Sequence, residues 1–392
     1  MLNYRLLLSV TFSFLFTGSL FCQNTAKLHS NSIVVDTHND FLSKSVEHGY
    51  MFDKHLNGIT HSDIFRMDSG KIDIQIFSIW CEARPDAFAF ANREIDSLYA
   101  ILKRNPDKLK MIYSPADLKK VIKEKIHGAM IGVEGGHMIE NDIAKLDSLY
   151  QRGARYMTLT WNNSNPWASS AMDETRGTIA NDKKGLSPFG RDVVKRMNEL
   201  GMMVDLSHVG EQTFKDAIAT TKKPVIASHS CVWNLAPVFR NLKDYQIDAI
   251  GKNGGVICLN FFSGFLDSNF MKKNTAFFQK HQAEKDSLLK AGKANFFMED
   301  YLFEKYPAEV ESMRATMDQM MDHIDYIVKR IGVNHVGLGS DFDGINSAPR
   351  ELNGIQDFPK ITTALKARGY SDKDIQKILG GNVIRVFKEN QR

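Results

Sequence analysis

The chain has 392 residues, 43% hydrophobic and 24% charged, with a formal charge of +4 and a pI of about 8.6. That is the balance of a folded globular protein, long enough for one large domain or two average ones. It excludes a disordered or low-complexity chain, and it is too mildly basic for a nucleic-acid binder, since no Lys/Arg block with interleaved aromatics occurs.

The first 22 residues differ in character from the rest of the chain. Arg5 makes a short positive start, and Leu6 to Leu20 is apolar apart from small polar residues. This predicts a secretory signal peptide over 1–22, cut near Cys22 and Gln23, and so an exported protein, periplasmic or secreted. The alternative is a lipoprotein signal with Cys22 acylated; Phe21 speaks against it, because a small residue belongs at that position. No later stretch is apolar for long enough to span a membrane. The mature chain keeps Cys81, Cys231 and Cys258. An odd number without regular spacing allows one bridge or three buried thiols, but no disulfide framework.

Ile33–Val35 is a β-branched run and predicts a first strand; Lys71–Trp80 alternates and predicts a second. Phe88–Leu102 has helical periodicity and is closed by Pro106. Further strands are predicted at Gly128–Glu134, Tyr156–Trp161, Met202–Leu206, Pro224–Ala227, Gly255–Leu259 and His335–Gly339. Between them lie helical stretches at Ile143–Tyr150, Asp192–Leu200, Gln212–Ala219, Tyr245–Ile250 and Met317–Ile331. Three more come after the last strand, at Ile361–Arg368, Asp372–Leu379 and Asn382–Glu389. Eight short apolar strands alternating with helices imply parallel pairing through right-handed crossovers, and eight such units close into a (β/α)8 TIM-type barrel. A single domain over 23–392 is expected. Asp267 to about Ala315 interrupts the rhythm and reads as a helical insertion before the eighth strand.

The strand ends carry the chemistry. His38 and Asp40 follow the first strand, two apart in extended chain, so their side chains point the same way. Glu134 ends the third strand, Ser207-His208 the fifth, Ser228-His229-Ser230 the sixth and Ser340-Asp341-Phe342-Asp343 the eighth. In a barrel these ends surround one mouth. Taken singly, each has a plainer explanation: a core histidine donating to a carbonyl, a turn carboxylate, an aspartate capping a helix. Three of only 12 histidines at strand ends, each beside carboxylates, point instead to metal. Three imidazoles with Asp40 and Glu134 exceed the roughly three protein ligands of one catalytic zinc. Two metals sharing a carboxylate is the economical arrangement, with Asp341 left to accept or donate a proton. His137 and Asp36 are expected behind these residues, supporting them.

Here the sequence resembles the membrane dipeptidase (renal dipeptidase) family over nearly the whole mature chain. The motifs are Asp-Thr-His-Asn-Asp at 36–40, Gly-Val-Glu-Gly-Gly-His at 132–137, Leu-Thr-Trp-Asn at 159–162 and Asn-Pro-Trp-Ala at 165–168. Val-Asp-Leu-Ser-His at 204–208, Ser-His-Ser at 228–230, Arg240-Asn241 and Gly-Ser-Asp-Phe-Asp-Gly at 339–344 complete the set. The resemblance implies a (β/α)8 barrel that hydrolyses dipeptides with two zinc ions. It implies that His38 and Asp40 bind one zinc, that His208 and His229 bind the other, and that Glu134 bridges them. It implies that Asp341 handles the proton and that Arg240 takes the substrate carboxylate, a job that suits a guanidinium because it grips a carboxylate with two parallel hydrogen bonds.

One position departs from the pattern. Where the family commonly has a histidine after Leu-Thr on the fourth strand, this chain has Trp161. That histidine is expected to help polarise the scissile carbonyl, whereas indole donates one hydrogen bond and neither charges nor ligates. Trp161 is therefore expected at the substrate, with an effect on efficiency or range. The alternatives are a related metal-dependent amidohydrolase acting on another amide or ester, and a non-catalytic binding protein on the same fold. The partners expected are dipeptides, with a homodimer left open and neither nucleic acid nor a membrane span in the mature chain.

Overall fold

The computed structural model describes residues 23–292 and 295–391. The predicted signal peptide and Cys22 lie outside the described residues.

Nine strands form one parallel sheet: β1 (Val35–Asp36), β2 (Ile74–Ile79), β3 (Leu109–Met111), β4 (His127–Glu134), β5 (Ala154–Thr158), β6 (Met203–Asp205), β7 (Ile226–Ala227), β8 (Val256–Leu259) and β9 (Val336–Leu338). The order runs β1-β2-β4-β5-β6-β7-β8-β9, and β3 pairs only with β4, off this path. The ring closes where β1 meets β9. The Thr37 amide donates to the Leu338 carbonyl at 3.1 Å, the Asp341 amide to His38 at 3.1 Å and the Asp40 amide to Phe342 at 2.9 Å. This is the expected (β/α)8 barrel with a helical insertion before its eighth strand.

The barrel interior is filled by Ile74, Ile76, Met130, Tyr156, Met203, Ile226, Val256 and Cys258. Val383, Val386 and Phe387 of the last helix, Asn382–Asn390, pack onto this layer and close the floor. Strand residues of the other parity pack outward against the helices, as alternation requires. The helix entering β9 shows why these segments form. In Met317–Ile331, Met317, Met320, Met321, Ile324 and Ile327 make one buried stripe. At its start Thr316 Oγ1 accepts from the Gln319 amide while Gln319 Oε1 accepts from the Thr316 amide, a reciprocal cap.

Between β8 and β9 the chain runs through helices Phe270–Lys280, Gln282–Lys290, Asn295–Lys305 and Pro307–Met313. They gather a separate small core around Phe270, Phe277, Phe278, Leu302 and Phe303, against which Phe262 packs.

Some elements differ from expectation. β3 is not foreseen by pattern, because three residues, one of them Lys110, give no alternation to read. The helices Phe41–His48, Ile64–Gly70 and Pro115–Glu124 are additional, though the last carries a readable cap, Ser114 Oγ accepting from the Asp117 amide ahead of Pro115. The fourth barrel strand ends at Thr158, so Trp161 stands beyond it in the mouth. Cys81, Cys231 and Cys258 are all buried free thiols.

The floor yields a stability prediction. Phe387 is fully packed between the last helix and the barrel interior. Phe387→Ala should lower the unfolding free energy by about 3–5 kcal/mol, read as a shift in denaturant midpoint with the metal-binding residues untouched.

Candidate metal centre

Each donor sits at or just past the C-terminal end of a barrel strand. His38 and Asp40 follow β1, Glu134 is the last residue of β4, His208 follows β6, His229 follows β7 and Asp341 follows β9. His208 and Asp341 have left-handed backbone, with φ of 63° and 61°. That conformation is costly for residues with a side chain, and it turns both inward over the mouth.

The structure brings the five predicted metal residues together. His208 Nε2 lies 2.9 Å and His229 Nε2 3.4 Å from Glu134 Oε1. His38 Nε2 lies 3.4 Å from Glu134 Oε2 and 3.5 Å from Asp40 Oδ2. The two Nε2 atoms of His208 and His229 are 2.9 Å apart. Glu134 thus presents one oxygen to His208 and His229 and the other to His38. Asp341 stands with His38 and Asp40 within the span one ion would bridge.

The protons of the three imidazoles are accounted for elsewhere. Tyr156 donates its hydroxyl to the Thr37 carbonyl at 3.0 Å, so its oxygen is left to accept from His38 Nδ1 at 2.8 Å. Ser228 donates to Asp205 Oδ2 at 2.6 Å and accepts from His229 Nδ1 at 2.8 Å. His208 Nδ1 donates to Asn162 Oδ1 at 3.0 Å. Each neutral ring therefore presents a bare Nε2 to the centre. Among the described residues His38 Nε2 and Asp40 Oδ1 are buried with no hydrogen-bond partner. Lone pairs aimed at lone pairs in a buried site call for a cation between them, and the residues fit one.

The electrostatics agree. Burial works against an ionised Glu134, but His38, His208 and His229 around it outweigh that and hold its carboxyl well below the usual range. Burial, then Arg240, pushes the His208 imidazole down to about 3, and burial lowers His229 as well. His38 goes the other way: burial opposes its charge, yet Tyr156, Asp40 and Glu134 prevail and raise it. A proton held there is one a metal displaces on binding. Burial, with Asp40 and Glu134 nearby, pushes the Asp341 carboxyl well above its usual range, while the Asn260 amide donates to its Oδ2 at 2.8 Å. Gly344 leaves room beside this pair, since a Cβ there would stand 2.1 Å from Asp40 Oδ2 and 2.8 Å from Asp341 Oδ1.

Arg240 is buried beside the centre. Its Nη2 donates to the His229 carbonyl at 3.2 Å, while Nε and Nη1 have no partner among the described residues. Trp161 packs edge-to-face on Trp80 with centroids 4.9 Å apart, its ring 6.4 Å from that of His208. The two supporting assignments turn out differently. Asp36 accepts from the Ser340 amide and hydroxyl at 2.8 and 2.7 Å, from Gln75 at 3.1 Å and from the His38 amide at 3.5 Å, so it fastens β9 to β1 and braces the backbone of His38. His137 donates to the Cys81 carbonyl at 3.0 Å and makes no hydrogen bond to any of the five among the described residues. Asp343 is held by the His61 amide at 2.6 Å and by the Ser62 hydroxyl. The residues that do orient the imidazoles, Tyr156, Asn162, Ser228 and Asp205, escape sequence reasoning. Asn162, Asp205 and Ser228 lie inside recognisable motifs, but Tyr156 reads only as a strand residue. Its ring crosses the barrel through space left by Gly132, where a Cβ would stand 1.9 Å from it.

Barrel and donor set define a class: a parallel (β/α)8 enzyme scaffold with a metal centre built from the ends of its strands. The family model of membrane dipeptidase, peptidase family M19, matches residues 22–392, and the chain belongs to that family and to its hydrolase class of enzyme. An uncharacterized dipeptidase of Schizosaccharomyces pombe is 31% identical over 390 residues, 94% of this chain and 83% of its own. The crystal structure of the probable dipeptidase PvdM from Pseudomonas aeruginosa superposes with a TM-score of 0.78 at 24% identity, covering 95% of this chain and 99% of that one. A metallopeptidase from Rhodobacter sphaeroides, solved with a phosphinate mimic of the dipeptide L-Ala-D-Ala, gives 0.74 at 22% identity, covering 92% of this chain and 100% of that one.

The proton accounting makes Tyr156 testable. Tyr156→Phe keeps the ring in the barrel and removes the acceptor for His38 Nδ1–H. Metal affinity should fall roughly 10–100-fold with the fold intact, measured by competition with a chelator; unchanged affinity would show that His38 needs no such support.

Proposed function

We propose that the protein is a binuclear zinc dipeptidase. The observation that carries this reading is the set of three bare imidazole nitrogens facing two carboxylates, with Glu134 offering one oxygen to each side. His38 and Asp40 would hold one zinc, His208 and His229 the other, and Glu134 would bridge. Bound there, the zinc ions supply an acidified water and polarise the scissile carbonyl.

The remaining steps belong to the chain. Arg240, with two buried donors unspent, would take the C-terminal carboxylate of the substrate. Asp341 would accept the proton of the attacking water and deliver it to the leaving amine as the C–N bond breaks. Its raised carboxyl suits it to return a proton as well as take one. Asp343 is committed to His61 and Ser62 and is poorly placed to substitute. Trp161 supports a second reading, in which the reaction is the same but the substrate is another amide or an ester. Indole in place of imidazole removes one candidate for polarising the carbonyl, and its packing on Trp80 makes it a wall. A panel of dipeptides, N-acyl amino acids and esters separates the two. The apolar stretch Leu6–Leu20 supports export of the chain. Among the described residues no helix is long and apolar enough to cross a membrane.

Two variants test the roles. Asp341→Asn keeps shape but cannot take a proton; it should retain both zinc ions and lose about 10²–10⁴ in turnover. Zinc per chain and dipeptide turnover are measured on the same sample, and loss of zinc would make Asp341 a ligand instead. Arg240→Ala should weaken dipeptides far more than their C-terminal amides, which lack the carboxylate; equal loss on both would remove Arg240 from substrate binding.

A further inference from the structure

Arg240 is a buried guanidinium that forms no salt bridge among the described residues. Its hydrogen bond from Nη2 to the His229 carbonyl fixes one corner of a planar group. The rest of its support is an aromatic face. The guanidinium carbon lies 5.3 Å from the ring centroid of Phe265, in the single turn Ser263–Leu266 that follows β8. The carbonyl of Phe265 also accepts from Asn241 Nδ2 at 2.8 Å, so ring and backbone together brace the Arg240-Asn241 pair.

Phe265 is itself held from the insertion. Its ring meets that of Phe262 edge-to-face at 5.0 Å and 86°, and Phe262 meets Phe270 at 5.4 Å and 69°. Phe270 opens the first helix of the insertion and belongs to its separate core with Phe277 and Phe278. A run of ring contacts therefore leads from the inserted helices to the guanidinium beside the metal centre.

We propose that Phe265 is a positioning residue for Arg240, and that the insertion, through Phe270 and Phe262, sets the plane of the guanidinium and hence the grip on the substrate's C-terminal carboxylate. This rests on the reading of Arg240 as the carboxylate-binding residue. A fork that binds a carboxylate with two parallel bonds tolerates little tilt. A desolvated cation over an aromatic face is held far more firmly than one over an aliphatic side chain. Leucine in place of Phe265 keeps bulk but loses the face.

The test is steady-state kinetics of the zinc-loaded full chain on one dipeptide and its C-terminal amide, with zinc content measured on each sample. Phe265→Leu should raise KM for the dipeptide on the order of tenfold, with kcat and the KM of the amide unchanged. Phe265→Tyr keeps the ring face and should restore the parent KM. Phe270→Leu should move KM for the dipeptide in the same direction by less. If kcat falls as KM rises, if the amide suffers equally, or if tyrosine fails to rescue, Phe265 merely supports the fold and the proposal is overturned. An unchanged KM in Phe265→Leu overturns it as well, and an unchanged KM in Phe270→Leu removes the insertion from it. Arg240→Ala keeps the two readings apart. If it leaves dipeptide KM unchanged, the role of Arg240 fails. If it raises KM while Phe265→Leu does not, only the positioning role fails.

Discussion

Three imidazole nitrogens and two carboxylates converge around a space in which only a cation, proton or metal, satisfies them all. A buried cluster of that kind is repulsive by itself, and a protein keeps it only by fixing every member from behind. That requirement organises the upper half of this barrel. Tyr156, Ser228 with Asp205, and Asn162 each take one ring proton, and so each decides which nitrogen is left bare. Metal affinity is written into these partners as much as into the ligands.

The same requirement explains where the backbone is strained. Left-handed φ values at His208, Asp341 and Asp343 cost on the order of 1–3 kcal/mol each. They persist because the surroundings determine them: the His208 carbonyl accepts from the Ala171 amide at 2.8 Å, and the Asp341 amide closes the ring onto His38 at 3.1 Å. Asp36 then fastens Ser340 from below. The seam between β1 and β9 is therefore both the closure of the fold and the scaffold of one half of the site. Barrel stability and donor geometry are not separable there.

Much of this is legible in the sequence, for identifiable reasons. Alternating β-branched strands and capped helices announce a barrel, and in a barrel the strand ends share one mouth, so His38, Asp40, Glu134, His208, His229 and Asp341 can be named together without knowing a single distance. What stays hidden depends on contacts across the barrel. Tyr156 looks like one more core residue until the gap at Gly132 lets its ring reach His38. Asp36 sits in the same motif as His38, and strand alternation alone would aim the two alike. Yet β1 ends at Asp36 itself, and the carboxylate supports His38 through its backbone amide while the Ser340 amide and hydroxyl beyond β9 take its other lone pairs. Phe265 carries no motif; its meaning comes from a ring set against an arginine 25 positions earlier.

The floor of the barrel has a consequence for how the molecule is made. Val383, Val386 and Phe387 plug the interior layer that all the strands share, and the Gln391 side chain reaches back to the carbonyl of Gly201. A barrel whose floor is its last helix cannot be completed while that helix is still inside the ribosome. Until then the strands have an open lower end and an unfilled layer, and the donors at the top have no rigid frame to hold them against one another. The frame that sets the donors against one another is thus finished by packing at the opposite end of the barrel, in the layer that Val383, Val386 and Phe387 fill.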